Sequence, residues 1–285
     1  MSAQILDGKA VAKKVREILK TKADSPGSSR KPGLGTILVG DNPASRIYVD
    51  MKEKACRKAG FITDTRKLSE NVTRETLLGI IDEFNSDPKV DGILLQLPLP
   101  KHLDKYEMDS VILPEKDIDG FNPVNQGRLL LDEPGFEPCT PKGIIRLIKE
   151  YGIKIEGANA VVIGRGFLVG KAVAVLLLRN HATVSICHTR TRDLSEYTKR
   201  ADILVVAAGR RGIVKAEMIK PGAVVVDVGI NELPDGTIVG DVEFESAKEI
   251  AGWITPVPGG IGPMTIAMLM ENTWQSYAKR EGINP

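Results

Sequence analysis

Tyr48 and Lys52 stand four residues apart in DNPASRIYVDMKEKA, whose pattern predicts a helix, so a phenol and an ammonium fall on one helix face. An ordinary exposed helix carries such pairs too, and two further stretches give this one weight. Gln96 interrupts the apolar run GILLQLPLP, and open parallel sheets bind ligands just beyond the carboxyl ends of their strands. The turn PEKDIDGFNP then carries Asp117 and Asp119, and either carboxylate can serve a ligand or cap the turn itself. A lysine beside a glutamine amide in a partly dry cleft is placed for proton exchange. A rigidly held carboxylate such as Asp119 can grip a heterocycle bearing several N–H donors through charge-assisted hydrogen bonds.

A different chemistry is written in ANAVVIGRGFLVGKAVAVLLL, residues 158–178, which reads strand, glycine turn, helix. Gly164, Gly166 and Gly170 follow G-x-G-x-x-x-G, one residue longer than the common dinucleotide fingerprint. Such a turn offers backbone N–H groups and the positive end of a helix to a pyrophosphate. An NAD site has Asp or Glu about 20 residues further on. Here the strand 183–187 runs instead into His188, Thr189, Arg190, Thr191 and Arg192, hydroxyls and cations suited to a 2′-phosphate, which favours NADP over NAD. Arg165, inside the turn, is another candidate for that phosphate. Arg190 and Arg192 read equally well as a solvent-facing helix start.

A third stretch, ITPVPGGIGPMT at 254–265, packs three prolines and three glycines into twelve positions. It is expected to be a shaped loop, rigid enough to wall a flat ligand, followed by a helix that starts near Thr265 and carries Ile266, Leu269, Met270 and Thr273 on one face.

The elements that must position these residues alternate. Strands are predicted at 34–39, 61–68 and 92–97, with helices at 43–59, 73–84 and 103–112, after an amphipathic helix at 7–20 and a Gly/Pro/Ser linker at 23–33. The alternation resumes after Pro138 with a helix at 141–151 and strands at 159–163, 183–187, 203–207 and 223–228. This is the pattern of parallel sheets covered by helices, two α/β domains whose boundary falls near 136–140.

Composition narrows the partners. Lys plus Arg (39) nearly balances Asp plus Glu (37), so no global charge argues for nucleic acid. Cys56, Cys139 and Cys187 have no metal or disulfide spacing and read as structural thiols in a reducing compartment; no metal site is expected. The opening residues lack a signal-peptide apolar region and no apolar run reaches the ~20 residues of a membrane span, so a cytoplasmic protein is expected.

Taken in order, VGDNPASRIYVDMK, GILLQLPLP, PEKDIDGFNP, PCTPKG, VVIGRG, DVGIN and ITPVPGGIGPMT resemble the bifunctional methylenetetrahydrofolate dehydrogenase/methenyltetrahydrofolate cyclohydrolase family (FolD type) over nearly the whole chain. The resemblance implies two three-layer α/β domains with a folate cleft between them. Residues 1–138, completed by a C-terminal helix at 265–285, would form the catalytic domain, and 139–264 a Rossmann-type NADP-binding domain. It implies oxidation of 5,10-methylenetetrahydrofolate with NADP+, hydrolysis of the methenyl product to 10-formyltetrahydrofolate, and a homodimer. By the same resemblance Lys52 is the acid/base residue, Gln96 tunes it, Tyr48 orients the folate and Asp119 grips the pterin. Pro258, Gly259 and Gly260 would form the loop against the folate, and Gly164, Arg165, Gly166, Thr189 and Ile230 the cofactor contacts. The chain departs from the family's pattern at Gly166, where Ser is usual, and at Ala172, where Pro is usual.

The rivals are another two-domain NADP oxidoreductase of the shikimate dehydrogenase type, which ITPVPGGIGPMT argues against, and a non-catalytic folate- or nucleotide-binding protein. A short-chain dehydrogenase also has a Y-x-x-x-K pair, but there the pair follows the nucleotide motif, whereas Tyr48 and Lys52 precede Gly164.

Overall fold

A computed structural model describes residues 2–24 and 30–283. In chain order the elements are β1 (Gln4–Ile5), α1 (Gly8–Ala23), β2 (Gly33–Val39), α2 (Pro43–Lys58), β3 (Ile62–Leu68), α3 (Arg74–Ser86), β4 (Gly92–Gln96), α4 (Lys105–Val111), α5 (Pro123–Leu130) and α6 (Cys139–Glu150). There follow β5 (Asn159–Ile163), α7 (Gly170–Arg179), β6 (Thr183–Cys187), α8 (Leu194–Thr198), β7 (Ile203–Val206), β8 (Val224–Asp227), β9 (Asn231–Glu232), β10 (Ile238–Val239), α9 (Phe244–Ala247), β11 (Trp253–Ile254) and α10 (Ile261–Arg280). The chain forms two compact units, one of Lys13–Cys139 with Ile266–Pro285 and one of Met1–Ala12 with Thr140–Thr265.

In the first unit three parallel strands lie in the order β3-β2-β4. β2 is the central strand and is buried along its whole length, as GLGTILV demands. Ile37, Val39, Ile93 and Leu95 of the sheet pack with Leu77, Ile81 and Phe84 of α3 and Met108 of α4 into one core cluster. α2 starts where Asn42 accepts the Ser45 N–H at 3.1 Å and Pro43 takes the first helical position. α10 binds the unit from Ile266 onward. Ser276 Oγ donates to Asp91 O (2.6 Å) and Glu115 O (2.7 Å), and Tyr277 OH to Arg30 O (2.7 Å). The buried Asp91 carboxylate is gripped by Arg30 and Arg280.

The second unit holds six parallel strands in the order β1-β11-β8-β7-β5-β6. β5 is first in sequence among its neighbours, with β6 on one side and β7 on the other, so strand order reverses beside it. The core is Val161, Ile163, Leu204, Val206, Val225 and Ile254 with their neighbours.

Two expectations change. The first twelve residues, expected with the catalytic domain, group with the nucleotide unit because Gln4 and Ile5 pair with Trp253 and Ile254. A two-residue strand carries no periodicity to read. The loop expected over 254–265 is shorter, since α10 begins at Ile261 rather than near Thr265. Pro263 sits in the first turn, where a missing N–H breaks no intrahelical bond. Ile266, Leu269, Met270 and Thr273 are buried as expected. In α1, Val11, Val15 and Leu19 are buried but Ile18 is exposed. Part of the 23–33 linker, residues 25–29, lies outside the described residues.

Candidate active site

α2 and the carboxyl end of β4 bring Lys52 and Gln96 together. Lys52 is buried, and its Nζ donates to Gln96 Oε1 at 3.0 Å. The Gln96 amide is itself fixed, because its Nε2 donates to Leu97 O at 2.7 Å, which leaves Oε1 turned to the lysine. Ser45, in the first turn of α2, reaches the same carbonyl at 3.4 Å. Tyr48 lies one turn before Lys52 and is half-buried, and that burial pushes its phenol above the ordinary range, so it stays a neutral donor and acceptor.

The two aspartates separate in role. Asp117 is buried and caps its own turn: Phe121 N–H, Asn122 N–H and Asn125 Nδ2 donate to it at 3.1, 2.8 and 2.9 Å. Burial still pushes its carboxyl up to about 6. Asp119 lies within the field of Lys52. Burial raises its pKa, while the Lys52 charge, a hydrogen bond with Cys139 and the Lys105 charge pull the other way. Lys52, Gln96 and Asp119 therefore gather in one unit, a lysine nitrogen held by an amide oxygen and acting electrostatically on a carboxylate.

The support around Asp119 was not legible in the sequence. Asn272 of α10 donates through Nδ2 to Ile118 O (2.8 Å) and Glu137 O (3.1 Å), and Cys139 Sγ donates to Ile118 O at 3.3 Å. The signal available was a run of polar residues, Asn272, Thr273 and Ser276, on a helix otherwise buried through apolar side chains. All three cysteines are buried thiols outside any disulfide.

The nucleotide turn is built on backbone contact. Gly164 has φ +116°, its N–H donates to Cys187 O at 2.9 Å, and a Cβ there would lie 2.1 Å from Ala207 O. A Cβ on Gly170 would lie 2.2 Å from Gly164 O, so the helix comes down on the turn itself. α7 has no side-chain cap at Val169; within its first turn Lys171 N–H donates to Gly166 O at 3.2 Å, and the end as a whole keeps the positive pole that suits an anion. Gly166 differs from both glycines: a Cβ there meets nothing within 4 Å. Arg165, Thr189, Arg190 and Arg192 are exposed. The turn at 188–191 is closed by His188 N–H on Thr191 Oγ1 (2.8 Å) and Arg190 N–H on His188 Nδ1 (3.1 Å), which sets the Arg190 backbone without using its guanidinium. Ile230 is also exposed, in the segment between β8 and β9. A helix start without a side-chain cap, a turn closed to side chains at Gly164 and Gly170, and exposed cations are what a phosphorylated dinucleotide requires, so these residues fit NADP.

Pro258, Gly259 and Gly260 lie in the second unit, apart from the Lys52 cluster in the division of the chain. Gly259 O accepts the Lys9 N–H at 3.1 Å, Gly260 N–H donates to Pro256 O at 2.8 Å, and a Cβ on Gly8 would lie 1.7 Å from Gly260 O. The start of α1 thus packs directly on the glycine pair and holds its shape. Among the described residues no group of three or more His, Cys, Asp or Glu side chains could hold a metal ion, and no helix is long and apolar enough to cross a membrane.

A parallel sheet with an order reversal, a glycine turn at that reversal and an uncapped helix beyond it define a dinucleotide-binding α/β protein, here with a second α/β unit carrying a lysine–glutamine–aspartate cluster. Comparison with known proteins narrows the class. Residues 6–119 match the tetrahydrofolate dehydrogenase/cyclohydrolase catalytic domain and residues 138–281 the tetrahydrofolate dehydrogenase/cyclohydrolase NAD(P)-binding domain. The chain is 53% identical over 274 residues to a bifunctional protein FolD of Acetivibrio thermocellus, covering 96% of each chain. Its fold matches the FolD methylenetetrahydrofolate dehydrogenase/cyclohydrolase of Campylobacter jejuni with a TM-score of 0.96 at 49% identity, over 98% of this chain and 100% of that one. The Trypanosoma brucei enzyme, solved with NADP cofactor and an inhibitor, matches with a TM-score of 0.93 at 39% identity, over 98% of each chain. The chain belongs to the tetrahydrofolate dehydrogenase/cyclohydrolase family, and the shikimate dehydrogenase-like and non-catalytic readings give way to this full-length match.

Proposed function

We propose that the protein oxidises 5,10-methylenetetrahydrofolate to 5,10-methenyltetrahydrofolate with NADP+ and hydrolyses the methenyl product to 10-formyltetrahydrofolate. The observation that carries the reading is the Lys52 Nζ to Gln96 Oε1 contact of 3.0 Å, with the Asp119 carboxylate in the field of the same ammonium. Hydrolysis of a methenyl cation needs a group that takes a proton from the attacking water and returns one to the ring nitrogen as its bond to carbon breaks. Lys52 would fill that role as the neutral amine, accepting the water proton to become the ammonium that then protonates the ring nitrogen, with Gln96 holding Nζ in place. Asp119 receives the N–H donors of the pterin, supported from behind by Cys139 and, through Ile118 O, by Asn272. Tyr48, one helical turn from Lys52, orients the folate.

The first step needs no strong acid or base from the chain, because the folate nitrogen lone pair expels the hydride. NADP+ supplies the hydride acceptor. The protein's part is to hold donor and acceptor in line, and orientation of this kind is worth roughly 7–11 kcal/mol. Gly164, Gly166 and the uncapped α7 would take the pyrophosphate, Arg165 and Arg190 with Thr189 the 2′-phosphate, and Ile230 an apolar face of the cofactor. Pro258, Gly259 and Gly260 would wall the folate.

The test is to mix the purified protein with 5,10-methylenetetrahydrofolate and NADP+ or NAD+, and to follow reduced nicotinamide, the methenyl absorbance and the final folate. Reduction with NADP+ and 10-formyl product above the uncatalysed control is expected; no reduction with either cofactor would refute the reading. The family also leads us to read the chain as a cytoplasmic homodimer, which light scattering would test against the 30.9 kDa of one chain.

A further inference from the structure

Asp227 and Asp241 are buried carboxylates that the proposed chemistry leaves unused. Asp227 ends β8 and collects three backbone donors, Gly229 N–H, Asp241 N–H and Val242 N–H, each at 2.9 Å. Asp241 collects three more. Its Oδ2 accepts Ala208 N–H at 2.7 Å and Gly209 N–H at 2.9 Å, and its Oδ1 accepts Asn231 Nδ2 at 2.9 Å. An ionised carboxylate only accepts, so each oxygen is matched to what surrounds it. No slack remains: a Cβ on Gly229 would lie 2.3 Å from Asp241 Oδ1, and one on Gly240 would lie 1.9 Å from Asp227 Oδ2.

The placement of these bonds gives them meaning. Ala208 and Gly209 follow β7, and Asn231 follows the exposed Ile230 beyond β8, so one side chain ties together two loops at the carboxyl edge of the sheet. The first of those loops meets the glycine turn directly, since Ala207 O occupies the space a Gly164 side chain would need. The crevice at the order reversal lies between β5 and β7, and its two walls are therefore the glycine turn and the segment Asp241 holds. We propose that Asp241 is a positioning residue for the dinucleotide: it fixes the second wall of the crevice through Ala208 and Gly209, and fixes Ile230 through Asn231. The proposal rests on the reading of this edge as the NADP site.

Asp241→Asn puts an amide N–H where an oxygen now faces two backbone N–H donors, or turns the amide and opposes Asn231 instead. Either way a buried donor loses its partner. The experiment titrates NADP+ into the wild-type protein, Asp241→Asn and Asn231→Ala. Alongside, it measures hydrolysis of preformed 5,10-methenyltetrahydrofolate, a reaction that consumes no cofactor. For Asp241→Asn we expect the Kd and KM for NADP+ to rise by about tenfold or more, with dehydrogenase kcat at saturating cofactor and the hydrolysis rate held. Asn231→Ala should show a smaller rise of the same kind. An unchanged Kd in Asp241→Asn, or a fall in hydrolysis matching the loss of NADP+ binding, would overturn the proposal. Should Asp241→Asn fail to fold, Asn231→Ala decides on the same criterion, because it leaves both Asp241 bonds to the β7 loop in place. Wild-type protein that binds no NADP+ removes the functional reading and this one together; wild-type binding with unaltered variants removes this one alone.

Discussion

The two units prepare their ligand sites in opposite ways. In the first, side chains hold side chains: Lys52 is buried, its partner Gln96 is pinned by Leu97 O, and Asp119 is steadied by Cys139. In the second, buried carboxylates hold backbone, and the cationic side chains proposed to meet the cofactor, Arg165 and Arg190, stand exposed. The difference follows from what each site has to do. A proton must move at one defined atom, which requires a fixed nitrogen and little water. A phosphate needs only converging N–H groups and positive charge, which a backbone turn and mobile guanidiniums supply.

The sharpest way to break this contrast is Lys52→Met. The site is buried and an unbranched apolar side chain fits it, so the fold should hold while the proton-transfer group is gone. Cyclohydrolase activity should fall by roughly 10²- to 10⁴-fold, with dehydrogenase activity reduced far less, both read from the same preparation. Equal loss would mean that the lysine orients the folate for both steps rather than moving a proton in one.

The complementary cut is Gly164→Ala. A methyl group there would lie 2.1 Å from Ala207 O on a backbone at φ +116°, so both packing and conformation oppose it. Strain of about 1–3 kcal/mol is expected, felt as weaker NADP+ binding and slower dehydrogenase turnover at fixed cofactor. Hydrolysis of added methenyltetrahydrofolate should persist. If it vanishes together with the dehydrogenase, the two sites are less separable than their construction implies.

What the sequence disclosed divides along the same line. Strands 159–163 and 183–187 match β5 and β6 residue for residue; β5 is the short buried apolar run that a central parallel strand requires, while β6, at the sheet edge and largely unburied, is bounded by its flanking turns. Tyr48, Lys52 and Gln96 were legible since each is a polar residue at a telling position of a helix or strand. The residue pattern alone did not choose between Asp117 and Asp119, for both sit on one turn, and it was the family resemblance that pointed to Asp119. Only the fold shows Asp117 taking the N–H groups of Phe121 and Asn122. Asp227 and Asp241 were invisible for a related reason: apart from Asn231, their partners are backbone groups, which every residue has. Pro263 misled in the other direction, a helix breaker that is harmless in the first turn of α10.

Each unit also carries one buried carboxyl pushed up to about 6, Asp117 in the first and Asp227 in the second. In the unfolded chain such a group ionises near its ordinary value of about 3.9. Between that value and about 6 the folded state holds a proton that the unfolded state has lost, so stability from these groups is complete below about pH 4 and falls as pH rises to about 6. The slope is at most about 1.4 kcal/mol per pH unit for each group. Carboxyl carbon NMR should place both midpoints near 6, and a midpoint at or below the ordinary value for either would reject the assignment for that unit.

The smallest expected effect is the most informative about the nucleotide side. Where the family usually has Ser, this chain has Gly166, and a Cβ there meets nothing within 4 Å while its φ lies outside the left-handed region. Gly166→Ser should therefore fold without strain, unlike any substitution at Gly164. Its hydroxyl would stand beside a helix N-terminus that has no side-chain cap, where a further donor to a phosphate oxygen is worth roughly 0.5–1.5 kcal/mol, or about two- to tenfold in Kd. NADP+ should bind more tightly by that factor, with hydrolysis of the methenyl substrate unmoved. An unchanged or weaker Kd by titration would mean that the exposed arginines and backbone N–H groups already satisfy the phosphates, and that the open space at Gly166 faces solvent rather than cofactor.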